Sequence, residues 1–414
     1  MPPSHDTSPA RLIALALAIS LGAALSLGLA RFAYGLLLPA MREDLQWTYA
    51  LSGALNTSNA IGYLVGALSA PWLLRRMEAT RLFILGAVFS CLWMGLSGFF
   101  RDTSVWMLLR ALAGVSSAWV FMTGGMLAAQ IGARAPERSG LLIGIYYAGA
   151  GLGITVSALS VPSVMTWAQQ TTGATMPGAQ FASWAWGWWA LTVACLVATA
   201  VMLWPAQVMR PWLSALRQSA TQTASLNVQS NHHWRHLLPA LAAYSCFGMG
   251  YIGYMTFVIA LLRQQGSSNG QITLFYALLG SACMLSAPLW ARLLKRKDGW
   301  PLAVLNGLVG MATMLAAVVD AYGWMLMSGL LFGACFLQVV ASTTALVRHQ
   351  WPAAQWAQGI ALFTIIFAAG QIIGPTLVGW IADGAGGLQR GLMASALILW
   401  AGAVMAVFQK PPMK

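Results

Sequence analysis

The chain has 414 residues, of which 59% are hydrophobic and 7% charged, and its mean hydropathy is +0.70. That composition excludes a set of soluble domains and points to a polytopic membrane protein. The formal net charge of +13 would suit nucleic acid or an acidic partner, but in a membrane protein basic residues usually report orientation, so the loops must decide.

Apolar runs of about 18 to 25 residues read as membrane-spanning helices. Twelve follow one another at 12–38, 51–73, 82–99, 105–130, 140–160, 183–204, 237–261, 271–294, 301–319, 324–347, 359–381 and 391–408. The run after Arg11 imitates a secretory signal, but it continues through Leu36, Leu37 and Leu38 and is read as a span. The longest polar interruption, Pro205 to His236, divides the spans six and six. The expected organisation is an all-α polytopic protein with an N-terminal six-helix bundle at 1–204, a loop at 205–236 and a C-terminal bundle at 237–414. Trp184, Trp186, Trp188 and Trp189 fit an interfacial aromatic belt. The five cysteines lie inside apolar runs without CxxC spacing, so they read as packing residues rather than disulfides or metal ligands.

Of the 22 Lys and Arg residues, 16 fall on the side of the N-terminus, among them Arg75, Arg76, Arg134, Arg138 and the run Arg292 to Lys297. Both termini and the central loop are therefore expected in the cytoplasm, with the protein in the cell (inner) membrane. The basic charge is topological, and nucleic acid is not an expected partner.

The two halves repeat. Leu68-Ser-Ala-Pro71 recurs as Leu285-Ser-Ala-Pro288, Trp106-Met-Leu108 as Trp324-Met-Leu326, and Gly28 through Tyr34 aligns with Gly248 through Tyr254. Nearly constant offsets are the sign of a parallel repeat about an axis along the membrane normal.

Six plus six spans, a long central loop and basic loops after the second and eighth spans resemble the major facilitator superfamily over nearly the whole chain. Leu29-Ala-Arg31-Phe-Ala-Tyr34 with Leu38-Pro39, Gly140 to Gly153, and Gly359 to Ala382 resemble its uncharacterised YbfB/YjiJ-like branch. The resemblance implies an alternating-access secondary transporter rather than an enzyme. It further implies a small-molecule substrate, no cofactor, a monomer in the lipid bilayer, and a coupling proton as a common partner. The superfamily's loop after the second span usually reads Gly-x-x-x-Asp-Arg-x-Gly-Arg. Here Gly66 to Arg76 keeps the basic pair Arg75 and Arg76 without the aspartate, which puts the usual gating ion pair in doubt.

Arg31 stands in an apolar segment, where a charge is costly unless it has a partner or a task. Counting 1.5 Å per residue from Pro39 and Ser104, Arg31 lies about 12 Å and Arg110 about 9 Å inside the outer face. In the fold that the chain resembles, the first, fourth, seventh and tenth spans line a central cavity. By the repeat, Arg31 aligns with Tyr251 and Arg110 with Ser328, so the positive pair belongs to one half. Two guanidiniums can grip a carboxylate or phosphate, and tyrosines can hold an organic body. The candidate substrate residues are Arg31, Arg110, Tyr34, Tyr147, Tyr251, Tyr254, Gln338 and Gln371, and the expected substrate is a small organic anion. The candidate gating residues are Arg75, Arg76, Gly149, Gly151, Gly153, Gly370, Gly374 and Pro375, since small residues let spans approach and slide. None of the nine acidic residues falls mid-span, so a buried carboxylate for proton coupling has no candidate. Three readings compete. Phe32, Tyr34, Tyr147, Phe247, Tyr251, Phe363 and Phe367 could line a cavity for efflux of apolar drug-like compounds. Met122, Met126, Met249, Met255 and Met284 could carry copper or another soft metal. A non-transporting sensor is the third. An intramembrane enzyme would need a nucleophile, acid pair or metal ligands within the spans.

Overall fold

The computed structural model describes residues 8–172, 181–223, 234–351 and 356–411. Twelve long helices run through them: α1 Pro9–Leu45, α2 Tyr49–Arg76, α3 Ala79–Ser97, α4 Thr103–Ala133, α5 Ser139–Thr171 and α6 Ser183–Thr223 in the first half. The second half holds α7 Leu238–Gln264, α8 Asn269–Trp290, α9 Trp300–Val318, α10 Tyr322–Gln350, α11 Trp356–Asp383 and α12 Gly387–Val407. Eleven of the twelve are long and apolar enough to cross a membrane. The exception, α2, has 28 residues but carries Asn56, Thr57, Ser58 and Asn59 in its first half. Those polar groups are met inside the protein, so α2 belongs with the rest.

Polar side chains at the turns start several helices. Thr48 accepts from the Leu51 N–H ahead of α2, Asp102 from Ser104 and Val105 ahead of α4, and Ser268 forms a capping box with Gln271 ahead of α8. All three caps lie on the face away from Pro9, here called the distal face; the other is the terminal face.

Three helix ends lie well beyond the sequence reading, and one is that of α5, which runs to Thr171 rather than 160. The sixth span does not stop at Trp204, because α6 continues through Pro205 and Pro211 to Thr223; positions 224–233 of the expected loop lie outside the described residues. The first span does not end at Pro39, which sits inside α1, and the helix continues to Leu45. Helices enclosed by neighbours tolerate an internal proline because other groups satisfy the freed carbonyl. Arg31 is consequently about 21 Å from the distal end of its helix, close to mid-membrane rather than in the outer half.

Helices α1 and α7 form the centre: their apolar windows are 78% and 83% buried, against 33–61% for the other spans. Around them α2 packs on α4 and α11, α5 on α1 and α8, and α12 on α7 and α9. The α2/α11, α5/α8 and α1/α7 contacts join the two bundles, and they are tightest toward the distal face. There the Asp383 carboxylate at the end of α11 accepts the Tyr49 N–H at 2.7 Å and the Ala50 N–H at 2.8 Å, at the start of α2. One turn further in, a side chain at Gly53 would stand 2.1 Å from the Pro375 carbonyl. Thr57 donates to the Ile372 carbonyl at 2.6 Å, and Gln264 donates to the Tyr49 hydroxyl at 2.7 Å. The distal face is closed by these contacts, beneath a vestibule of about 620 Å³ lined by Arg42, Glu43, Arg263 and Asp383.

Candidate substrate site

The middle of α1 is not α-helical. From Ala24 to Phe32 it is a π-helix, with the Ala33 N–H bonded to the Gly28 carbonyl five residues back. The wider turn turns carbonyls toward neighbours, and such segments recur at functional sites. Two of these carbonyls are used: Ala30 accepts from the Arg110 guanidinium at 2.9 Å, and Phe32 accepts from the Tyr276 hydroxyl at 2.8 Å. The segment can lie close to α5 because Gly28 meets the Gly153 backbone, where a side chain would approach to 2.5 Å.

The two arginines have different surroundings. Arg110 is 2% exposed and donates to the Ala30 carbonyl and, at 2.8 Å, to the Asn56 side-chain carbonyl. Its guanidinium carbon lies 4.7 Å from the centre of the Tyr34 ring. Asn56 in turn donates to the Thr256 hydroxyl of the other bundle at 2.7 Å, and Asn59 donates to the Arg110 carbonyl at 3.0 Å. Arg110 therefore braces the π segment against α2, with charge-assisted bonds worth about 1.5–3 kcal/mol each. Arg31 is 4% exposed and donates to the Gln371 side-chain carbonyl at 2.8 Å, across the boundary between the bundles. Gln371 donates onward to the Tyr251 hydroxyl. Among the described residues neither arginine has a carboxylate partner: the ion pairs are Arg81 and Arg210 with Glu78, Arg101 with Asp44, and Arg296 with Asp298, their acids at helix ends or turns.

Tyrosines surround Arg31. The Tyr63 ring lies 5.4 Å from its guanidinium carbon. Tyr63 is also within electrostatic reach of Tyr147 and Tyr251, and Tyr244 is within reach of Tyr63, Tyr147 and Tyr251. Two of these phenols come from each bundle. Tyr147 is 42% exposed, whereas Tyr63, Tyr244 and Tyr251 are 8% exposed or less. The group therefore has an open side at Tyr147.

Of the expected substrate residues, Arg31, Gln371 and Tyr251 thus meet through hydrogen bonds, while Tyr147 packs against Phe121 and Tyr146 within electrostatic reach of Tyr63. Tyr34 is fully buried with its hydroxyl on the Ser52 carbonyl at 3.0 Å. Tyr254 pairs with the Ser328 hydroxyl at 2.7 Å. Gln338 donates to Ser286 at 2.8 Å, within its own bundle. The repeat is visible here, because Tyr34 meets Arg110 and the equivalent Tyr254 meets the equivalent Ser328. Phe247, Phe363 and Phe367 pack against Tyr244 and one another as a ring cluster beside Tyr251, while Phe32 meets the Phe336 edge. Met126 is 44% exposed and Met255 buried, and Met284 packs at Gly151.

The expected gating residues divide similarly. Gly149 and Gly153 face the Ser20 and Ala24 carbonyls, and Gly370 and Gly374 face those of Ser245 and Met249, all within one bundle. Gly151 lies against the Gly280 carbonyl, and Pro375 against Gly53, between bundles. Arg75 and Arg76 are exposed, with Arg76 over the Trp72 ring at 4.1 Å. Sequence reasoning missed Tyr63, Tyr244, Asn56 and Asp383 as parts of these networks. Asn56 carried a usable signal, a carboxamide inside a span; the tyrosines carried none that separates them from packing residues.

The fold is shared with solved transporters. A bacterial homologue of the human lysosomal transporter Spinster, in an inward-facing and unoccupied conformation, superposes with a TM-score of 0.68 at 13% identity, covering 98% of this chain and 97% of that one. The nucleoside transporter NupG superposes with a TM-score of 0.64 at 12% identity, covering 95% and 98%. No curated protein sequence matches the chain. The family model described as uncharacterised MFS-type transporter YbfB matches residues 23–407. A membrane-embedded array of twelve helices in two repeated halves, matched by that model over most of its length, belongs to the YbfB family of major facilitator superfamily transporters.

Proposed function

We propose that this transporter carries a small organic anion by alternating access, with Arg31 as its chief contact. The observation that supports this is the Arg31 guanidinium itself. It is buried between the bundles, has no carboxylate partner among the described residues, and is bonded to the neutral carbonyl of Gln371. A buried cation held by a neutral amide is under-compensated, and an anion that replaces the amide gives it charge-assisted, paired bonds. Replacement also releases a bond between the bundles, so binding would loosen one of the contacts that hold the present state. The distribution of Lys and Arg supports assigning the terminal face to the cytoplasm, which makes this closed-distal state inward-facing. The moving units would be the bundles 1–204 and 237–414, extended by the helical continuation of α6. Arg110 spends both terminal nitrogens on Ala30 and Asn56 within its own bundle and leaves its buried Nε unpaired, so in this reading it supports the site rather than gripping substrate.

Ligand-dependent thermal stability tests the reading. Mono- and dicarboxylates, phosphate esters, copper(I) and uncharged apolar drugs are compared on the native protein, Arg31→Gln and Arg31→Lys. Stabilisation by anions that is lost in Arg31→Gln is expected. Stabilisation by uncharged drugs or copper(I), unchanged in both variants, refutes the anion reading in favour of efflux or metal transport.

A further inference from the structure

The side of Arg31 that faces the open end of the site is bordered by phenol rings, and we infer that its anion is aromatic: a planar carboxylate lying among ring faces. This rests on the reading of Arg31 as the anion contact and deepens it.

The Gln371 carbonyl oxygen, 2.8 Å from Arg31, marks where a ligand oxygen would sit. A carboxylate there has a second oxygen, and the groups next along are donors, the Gln371 amide N–H and the Tyr251 hydroxyl. The carboxylate can thus take the glutamine carbonyl's place on Arg31, with the direct Arg31–Gln371 bond between the bundles released. One face of the guanidinium is occupied by the Tyr63 ring at 5.4 Å, so the body of the ligand must leave along the guanidinium edge. Tyr63 on that face and Tyr251 beyond Gln371 place one phenol from each bundle beside the carboxylate position, and Tyr147 lies within electrostatic reach of Tyr63.

Ring order favours a flat guest. Tyr251 stacks on Phe247 with centroids 4.8 Å apart and planes 19° apart, and Phe367 stacks on Tyr244 at 4.8 Å and 18°. Tyr251 and Phe367 are themselves 19° from parallel. Offset-stacked and edge-to-face contacts are both favourable, and edge-to-face pairs flank this set, as between Tyr147 and Tyr146 at 69° and between Tyr244 and Phe363 at 63°. A set of near-parallel rings presents faces in register, and another planar ring extends that stack without turning its neighbours. The wall is not sealed, since Tyr147 is 42% exposed. An aliphatic acid would satisfy Arg31 equally but would gain no ring contact, and an uncharged aromatic would gain the rings but leave the guanidinium with its neutral partner.

Three probes separate these contributions: benzoate, cyclohexanecarboxylate, which keeps the charge and carbon count but not the aromatic ring, and benzamide, which keeps the ring but not the charge. Binding is measured by calorimetry on the native protein and on Tyr147→Leu, Arg31→Gln and Arg31→Lys. Benzoate is expected to bind about tenfold more tightly than cyclohexanecarboxylate, the increment that one aromatic pair contributes. Tyr147→Leu, at a half-exposed position, should erase most of that preference with the melting temperature unchanged. Benzamide should bind at least tenfold more weakly than benzoate, and Arg31→Gln should abolish the difference between them, with Arg31→Lys retaining part of it. Equal affinity for the two acids, both lost in Arg31→Gln, overturns the aromatic inference and leaves the anion reading standing. Benzamide binding as well as benzoate, with Arg31→Gln indifferent, overturns both. Binding of aliphatic acids or phosphate esters but not benzoate also overturns the aromatic inference.

Discussion

Asp383 offers a direct measure of how strongly the distal face is held shut. Its carboxylate joins α11 to α2 by accepting the Tyr49 and Ala50 N–H groups at 2.7 and 2.8 Å, the unpaired donors of a helix N-terminus. In Asp383→Asn one oxygen can still accept, while the amide nitrogen that replaces the other faces an N–H. The substitution also removes the charge that favours a helix N-terminus, worth about 0.3–1 kcal/mol. Because Asp383 borders an open vestibule, the lost charge-assisted bond is taken at the lower end of its range, about 1.5 kcal/mol. The total of roughly 1.8–2.5 kcal/mol shifts the ratio of open to closed distal faces by about 20- to 70-fold. Pulsed electron-electron distance measurements report that ratio, with spin labels on the turns 98–101 and 384–387 in a background lacking the native cysteines. A new, longer-distance population is expected in Asp383→Asn. Glu43→Gln serves as the control, since Glu43 lines the same vestibule and should leave the distribution unchanged. Identical distributions in Asp383→Asn and the native protein would refute the assignment of this contact as a latch.

Gly53→Ala tests the same closure from a different contact. Its Cβ would stand 2.1 Å from the Pro375 carbonyl, so α2 and α11 must separate, and the same longer-distance population is expected with Asp383 intact. Arg110→Lys should lower the melting temperature, because a lysine cannot serve both the Ala30 carbonyl and Asn56 in the guanidinium's planar geometry. The expected loss is about 3 kcal/mol, the scale for breaking a buried charged network. Arg31→Gln, by contrast, should leave the melting temperature near that of the native protein while changing ligand response. A larger destabilisation by Arg31→Gln than by Arg110→Lys would reverse the roles assigned to the two arginines.

Much of the architecture was legible in the chain because the bilayer imposes a simple rule: long apolar runs must be helices that satisfy their own backbone. That rule located the spans, and the recurrence of Leu-Ser-Ala-Pro and Trp-Met-Leu at constant offset identified the two halves. It even paired Tyr34 with Tyr254 and Arg110 with Ser328, which meet as equivalents in space. The second helix was recognised as a span, but the purpose of its Asn56 and Asn59 was not, since their partners are 54 and 51 residues away.

The sequence by itself determined the helical class, the division into two sets of six spans and the presence of two membrane-embedded arginines without a mid-span acid. These are set by local hydropathy and residue type, which act over one or a few helical turns. Only the tertiary structure decided what the arginines do. Depth along a helix places Arg31 near mid-membrane and Arg110 about 10 Å inside the distal end of α4, but partners depend on which faces meet. The π segment, invisible to an α-helical count, turns the Ala30 carbonyl toward Arg110. The meeting of α1 with α11 then leaves Arg31 on Gln371, 340 residues away. Long-range packing, rather than any property of either residue, distinguishes the brace from the candidate ligand contact.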